Sequence, residues 1–309
     1  MEILNLLAEY RTPFFDTLFQ LITYLGQETL AVAVICWLYW CQNKKLAYTI
    51  GFTYFVSGLA VQGLKVTFRI PRPWIIDPGF QAVPSAIPAA TGYSFPSGHT
   101  QSGTALFGSL ALASEKNWKK FLCVLLFLLI GFSRMYLGCH TLKDVLTAMV
   151  ISLASAFFFH WFLYRRTGKL TRPRLTAFLF ALCSLSLLLY AYFLYIQDIL
   201  ALDYASDCAK AAGAGAGFAL GYYLEKCHIR FSLPQQKTKK ITRFLLGLLI
   251  TLILQQGLKP LLGASLFSGF FRYFIVVAWI LAIYPWLFSR CLDKNKAGKP
   301  TSTPPPLNL

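Results

Sequence analysis

The chain has 309 residues, 56% of them hydrophobic and only 13% charged. A soluble domain carries about a quarter charged residues, so that class is excluded, and the absence of short alternating segments excludes a transmembrane barrel. The net charge of +17 invites a nucleic-acid reading, but the lysines and arginines sit in short loops between apolar runs, so no nucleic-acid partner is expected.

Apolar runs long enough to cross a bilayer recur along the chain, which makes the expected fold class all-α, a polytopic helical membrane protein. Residues 3–25 mix apolar positions with Glu9, Arg11 and Asp16 and read as an interfacial helix pair. They lack a basic segment followed by a cleavable apolar core, so no signal peptide is expected. Spans are predicted near 28–41, 46–64, 99–114, 121–138, 143–163, 175–196, 208–224, 244–260 and 271–288. The eight cysteines are scattered singly, without framework spacing, and read as small membrane residues, not as disulfides or zinc ligands.

Alternate loops concentrate positive charge. Lys44, Lys45, Lys116, Lys119, Lys120, Arg165, Arg166, Lys169, Arg172 and Arg174 fall on one side. Lys226, Arg230, Lys237, Lys239, Lys240, Arg243, Arg290, Lys294, Lys296 and Lys299 join them, making 20 of the 29 basic residues. That side is expected to be the cytoplasm. Asp77, Asp198, Asp203 and Asp207 fall on the other. Residues 65–98 break the pattern, because this long outer loop carries Lys65, Arg69 and Arg72. Gly213, Gly217 and Gly221 recur every fourth residue, a close helix-packing face, and Lys210 is within reach of Asp203 or Asp207. Residues 1–165 are read as the chemical unit and 166–290 as an additional helical bundle. Residues 291–309, with their Thr-Pro-Pro-Pro, are read as a disordered cytoplasmic tail.

Three clusters sit at outer span ends. Lys65, Arg69 and Arg72 would share one helical face, although Pro71 ends the helix before Arg72. Pro96-Ser97-Gly98-His99 leads into a helix whose N-terminus offers free N–H groups to an anion. Ser133-Arg134 is followed by His140 and Asp144, four residues apart. Placed on one face of the fifth span, Asp144 would accept the Nδ1–H of His140 and leave Nε2 free as a nucleophile. His99, His140 and Asp144 are possible metal ligands, but Lys65, Arg72 and Arg134 would repel a divalent ion and suit a phosphate dianion instead. No metal or cofactor is therefore expected. In the resulting scheme His140 attacks phosphorus and His99 protonates the leaving alkoxide, then activates water. Lys65, Arg72, Arg134 and the Ser97–Gly98 backbone stabilise the charge on the equatorial oxygens.

Lys-x6-Arg-Pro, Pro-Ser-Gly-His and Ser-Arg-x5-His-x3-Asp together resemble the signature of the type 2 phosphatidic acid phosphatase superfamily over roughly residues 15–165. The resemblance implies a helical membrane fold acting on lipid phosphates without a metal, here with four extra transmembrane helices. It implies Lys65, Arg72, Ser97, Gly98 and Arg134 as phosphate binders, His99 as general acid, His140 as nucleophile and Asp144 as orienter. The expected partners are a lipid phosphate or diphosphate substrate and membrane lipids. The expected location is the bacterial cell membrane, with the site facing outside. Two alternatives stay open, a lipid phosphotransferase with the same site and a phospholipid transporter or scramblase. The lipid and the oligomeric state are not specified by the residues.

Overall fold

The computed structural model describes residues 1–165, 172–263 and 265–291. Residues 166–171, 264 and 292–309, and with the last of these all but the first residue of the tail expected over 291–309, lie outside the described residues. Among those described, every regular element is helical.

The chain opens with α1 (Glu2–Glu9) and α2 (Pro13–Tyr24). Thr12 caps α2 by accepting the Phe15 N–H, with Pro13 at the first helical position, where its missing donor costs nothing. A 41° bend separates α2 from α3 (Glu28–Trp37), which runs on through a π-helical turn to Gln42. The helix pair expected over 3–25 is therefore present, and α2 with α3 is together long and apolar enough to form one broken span. Next come α4 (Lys44–Phe68) and the short α5 (Pro73–Ile76). Beyond the 77–97 loop lie α6 (Gly98–Ala113), α7 (Asn117–Tyr136) and α8 (Leu142–Phe159). The extension supplies α9 (Pro173–Ile196), α10 (Leu202–Leu224), α11 (Lys237–Leu262) and α12 (Leu266–Ala278), which continues through a π-helical turn into α13 (Tyr284–Cys291).

Helices occupy all nine predicted ranges, but only four among the described residues are long and apolar enough to cross a bilayer unaided, or five with the bent pair. They are Leu142–Leu163, Pro173–Ile196, Lys237–Leu262 and Leu266–Arg290. The others are shorter or more polar for a reason. α6 has 16 residues and buries Thr100, Gln101, Ser102 and Thr104. α4 and α7 bury Lys65 and Arg134, and α10 carries Asp203, Asp207 and Lys210 near its start. Of these, α4, α6 and α10 run through the interior, while α7 turns a single stripe with Ile130, Ser133 and Arg134 inward and leaves Phe121, Leu125 and Leu128 exposed.

α6 packs against α4, α7 and α8, and α10 packs against α9, α12 and α4. Between helices in lipid, polar side chains and close van der Waals contact replace the hydrophobic drive of a soluble core. Gln101 on α6 donates Nε2–H to Tyr54 O (3.0 Å) and Ser57 Oγ (2.8 Å) on α4, and Ser152 on α8 donates to Gln101 O (3.2 Å). The glycine face expected on α10 meets α12 and its continuation. A Cβ on Gly213 would stand 2.1 Å from Phe270 O, one on Gly217 2.6 Å from Phe274 O, and one on Gly221 2.4 Å from Leu281 Cβ.

The extension is not a separate body. At the far end of α10, buried Glu225 takes Lys44 Nζ and accepts the Tyr48 hydroxyl at 2.7 Å, both from the start of α4. Trp40 Nε1–H and the Tyr39 hydroxyl donate to Ile280 O (2.9 Å) and Leu281 O (2.8 Å). The division at residue 165 therefore marks a change of sequence character while the packing runs across it.

Candidate active site

α4 ends at Phe68 because Arg69 adopts a left-handed conformation (φ 48°), and its guanidinium turns back to Val66 O. Arg69 is exposed, so it does not share the inward face of Lys65 and Arg72, which are both buried. Lys65 Nζ donates to Tyr93 O (2.6 Å). Arg72 sends Nε–H to Gly92 O (3.0 Å), one Nη2–H to Thr91 O (2.7 Å), and Nη1–H groups to Cys139 O (3.0 Å) and His140 Nε2 (2.9 Å). Four of the five donors of this guanidinium are thus spent stapling the 91–93 loop to the 139–140 loop. Arg72 keeps one uncommitted N–H for an anion.

His140 does not lie on the fifth span, as the i, i+4 spacing suggested. It precedes α8, whose N-cap is Thr141, and Asp144 is the third helical residue in a capping box with that threonine. Asp144 Oδ2 accepts the Thr141 N–H at 2.8 Å and the Ser94 hydroxyl at 2.6 Å, and stands 3.6 Å from His140 Nδ1. That last distance is longer than a hydrogen bond but leaves the carboxylate as the nearest anion to the ring. Because arginine can only donate, the 2.9 Å contact from Arg72 makes His140 Nε2 an acceptor and places the ring proton on Nδ1, facing Asp144. Burial, then the charges of Arg72, Arg134, Lys65 and His99, hold the ring's pKa well below the ordinary histidine value.

Arg134, near the end of α7, is fully buried. Its Nη1–H reaches Thr23 Oγ1 on α2 (3.2 Å), while Nε and Nη2 have no hydrogen-bond partner among the described residues. His99 Nε2 is likewise buried and unpartnered. A buried guanidinium with two unpartnered nitrogens, three N–H donors between them, is costly unless an anion meets them. Ser97 is placed differently from expectation: its hydroxyl caps α6, accepting the Thr100 N–H (3.4 Å) and hydroxyl (2.9 Å), and its own N–H donates to Asp144 O (3.1 Å). Gly98, the first residue of α6, does line the cavity, and nothing stands within 4 Å of where its Cβ would be.

Lys65, Arg72, Gly98, His99, Arg134 and His140 all line one cavity of about 140 Å³. Thr91, Gly92 and Tyr93 close one side, and Tyr204 and Asp207 from α10 form another. Four residues at or beside this site were missed from sequence: Thr23 on Arg134, Ser94 on Asp144, and Tyr204 and Asp207 in the wall. The serine three positions before Ser97 was a weak signal, and the other contacts are purely tertiary.

A family model described as the PAP2 superfamily matches residues 45–168, which hold all three motif clusters. A second, described as PAP2 superfamily phosphatase, transmembrane extension, matches residues 209–296. The chain belongs to the PAP2 superfamily. With its long apolar helices it is an integral membrane protein. Among similar PAP2-type proteins, an undecaprenyl-diphosphatase of Bacillus subtilis (strain 168) is 31% identical over 43% of this chain and 63% of its own length. Sphingosine-1-phosphate phosphatase 2 of Mus musculus is 23% identical over 83% of this chain and 76% of its own. A dihydrosphingosine 1-phosphate phosphatase of Saccharomyces cerevisiae is 25% identical over 51% and 41%. The chain thus spans less than two thirds of the length of the bacterial and yeast relatives. No solved structure matches it significantly. Tyr204 and Asp207 fall between the two PAP2-matched stretches, and Thr23 lies before both.

Proposed function

We propose that this protein is a metal-independent phosphatase that hydrolyses a lipid phosphate or diphosphate at the outer leaflet through a phosphohistidine on His140. The reading is carried by one observation: His99, His140, Lys65, Arg72 and Arg134 meet in a single cavity. PAP2 membership and relatives named for lipid phosphate and diphosphate hydrolysis support it. Lys65, Arg72 and Arg134 outnumber Asp207, which is paired through one oxygen with Lys210 at 2.7 Å, so the cavity keeps more positive than negative charge, a balance suited to a phosphate dianion and repellent to a divalent cation.

In the first step Arg72 shifts its Nη1–H from His140 Nε2 to the entering phosphate, the freed Nε2 attacks phosphorus in line as the P–O ester bond breaks, and His99, protonated as the dianion enters, gives its proton to the departing oxygen. The phosphorylated ring keeps its Nδ1–H and becomes cationic, a charge that Asp144 stabilises. The 3.6 Å contact is of the kind that tightens as the transition state forms. In the second step water attacks phosphorus, the P–N bond breaks, and neutral His99 takes the water's proton, restoring both histidines. Lys65, Arg134 and the Gly98 N–H stabilise the equatorial oxygens throughout. The outer location rests on the 20 of 29 basic residues assigned to the opposite side.

The test uses the purified full chain with EDTA and a panel of lipid phosphates and diphosphates. The expected result is phosphate release, together with an acid-labile, base-stable protein label from radioactive substrate that His140→Ala loses. No release from any lipid, or a label that persists in His140→Ala, would overturn the proposal. Thiol labelling of single-cysteine variants in the 77–90 loop of intact cells checks the side. Labelling only after permeabilisation would reverse the orientation.

A further inference from the structure

Asp207 stands out in this cavity. It is a carboxylate in the wall of a site otherwise built for an anion, and the scheme above gives it no task. It reaches the cavity because α10 begins at Leu202, so Asp207 sits about one turn into the helix and not in a loop. Its Oδ1 accepts Lys210 Nζ at 2.7 Å, and its side chain keeps 25% exposure. Oδ2 lies on the side of the 91–93 loop, 3.8 Å from the Cβ position of Gly92. One turn earlier, Tyr204 stacks on Tyr93 with ring centroids 4.3 Å apart and planes 24° apart. The carbonyl of that same Tyr93 holds Lys65 Nζ. α10 is thereby fixed to the strip of loop that holds the phosphate-binding lysine, so its carboxylate keeps a set place beside the reacting group.

A carboxylate beside a bound phosphate raises its energy unless it faces a donor or cation on the substrate. Lys210 satisfies one oxygen, and the other retains its full acceptor capacity. A second phosphoryl group on the ester would bring like charges together, whereas a protonated amine within two or three bonds of the ester oxygen would form a charge-assisted hydrogen bond. We infer that Asp207 reads the alcohol side of the ester, selecting phosphomonoesters whose long-chain alcohol carries an ammonium group next to the phosphate over amine-free esters and diphosphates. This rests on the phosphatase reading and adds to it a substrate class and a residue that chooses it.

The experiment measures kcat/KM of the purified full chain in mixed micelles with four matched substrates. These are a long-chain 2-aminoalkyl phosphate, its N-methyl form (bulkier but still cationic), its N-acetyl form (neutral), and an alkyl diphosphate of the same length. The wild type should favour the two cationic esters over the N-acetyl ester by about tenfold, the low end for a hydrogen bond to a charged group at a partly exposed site, with the diphosphate slowest. The cationic-to-neutral ratio should fall to near one in Asp207→Asn and persist in Lys210→Gln, which leaves the carboxylate in place. Partial misfolding lowers all rates together and leaves the ratio readable, and the wild-type ratios stand even if Asp207→Asn does not fold. A wild-type ratio near one, or a ratio unchanged in Asp207→Asn, overturns the inference while turnover itself preserves the phosphatase reading. Turnover of none of the four, nor of any ester in the wider panel, removes both.

Discussion

Replacing Asp144 with asparagine tests the catalytic scheme at its most quantitative point. The side chain would still accept the Thr141 N–H and the Ser94 hydroxyl through its amide oxygen, so the capping box at the start of α8 and the fold should survive. What disappears is the negative charge 3.6 Å from His140 Nδ1. Coulomb's law gives about 4.6 kcal/mol for unit charges at that distance with an effective dielectric of about 20, and about 1.2 kcal/mol at the value of bulk water. Both side chains are only 2% exposed, so the larger figure is the closer guide. At about 1.4 kcal/mol per tenfold, Asp144→Asn should slow formation of the phosphohistidine by about 10² to 10³. Rapid-quench measurement of the burst of covalent label, alongside thermal unfolding of the same preparation, reads both consequences. A folded Asp144→Asn protein within about threefold of the wild-type burst rate would refute the charge-stabilising role of Asp144 and leave the carboxylate as a helix cap.

Three further outcomes are expected. Because burial and then Arg72, Arg134, Lys65 and His99 depress His140, the folded ring stays neutral where the unfolded ring, near its ordinary value of about 6.5, binds a proton. Stability from this group is therefore present above about pH 6.5 and lost as pH falls toward the folded value, so denaturant midpoints should drop between pH 7.5 and 5.5. Arg72→Gln should move the His140 titration upward in ¹³C-histidine NMR spectra. Arg11 donates Nε–H to Tyr136 O (3.1 Å), bonds Gln81 O and lies over the Phe80 ring, so it clasps the segment leading to His140. Arg11→Met should cut kcat by about tenfold with little change in KM, since positioning and not substrate contact is lost, and an equal fall in stability without this split would count against it. Gly213→Ala, with its Cβ 2.1 Å from Phe270 O, should destabilise the detergent-solubilised protein by about 1–3 kcal/mol. The matching Gly257→Ala change, where nothing stands within 4 Å, should not.

The motifs were legible because each pairs a chemical residue type with local backbone punctuation, and six of the eight named residues, from Lys65 to His140, line one cavity. The other two, Ser97 and Asp144, support it from behind. Local spacing misled where the chain changed state between two residues. Four positions suggested one helical face for His140 and Asp144, but Thr141 starts the helix between them. The same logic placed Arg69 beside Lys65, yet its left-handed conformation turns it outward. Periodicity found helices in all nine ranges but could not say which were inward, because the lysine, arginine and hydroxyl content of α4, α6 and α7 reflects what surrounds them. Thr23 and Tyr204 left no local signature, and Asp207 showed only as a partner within reach of Lys210, a pair the structure makes at 2.7 Å. Their meaning depends on contacts between residues more than 60 positions apart in sequence, such as Thr23 with Arg134 and Tyr93 with Tyr204.

The glycine face of α10 also bears on how the protein is made. Helices of a membrane protein enter the bilayer in the order of translation, and α10, whose start holds Tyr204 and Asp207 in the cavity wall, gains its last support when Gly213, Gly217 and Gly221 meet α12 and its continuation. The nascent chain therefore carries its histidines, its arginines and the Asp144 carboxylate before it has a finished pocket. The wall of the pocket is fully braced only after the Phe270–Leu281 stretch has come to lie against α10.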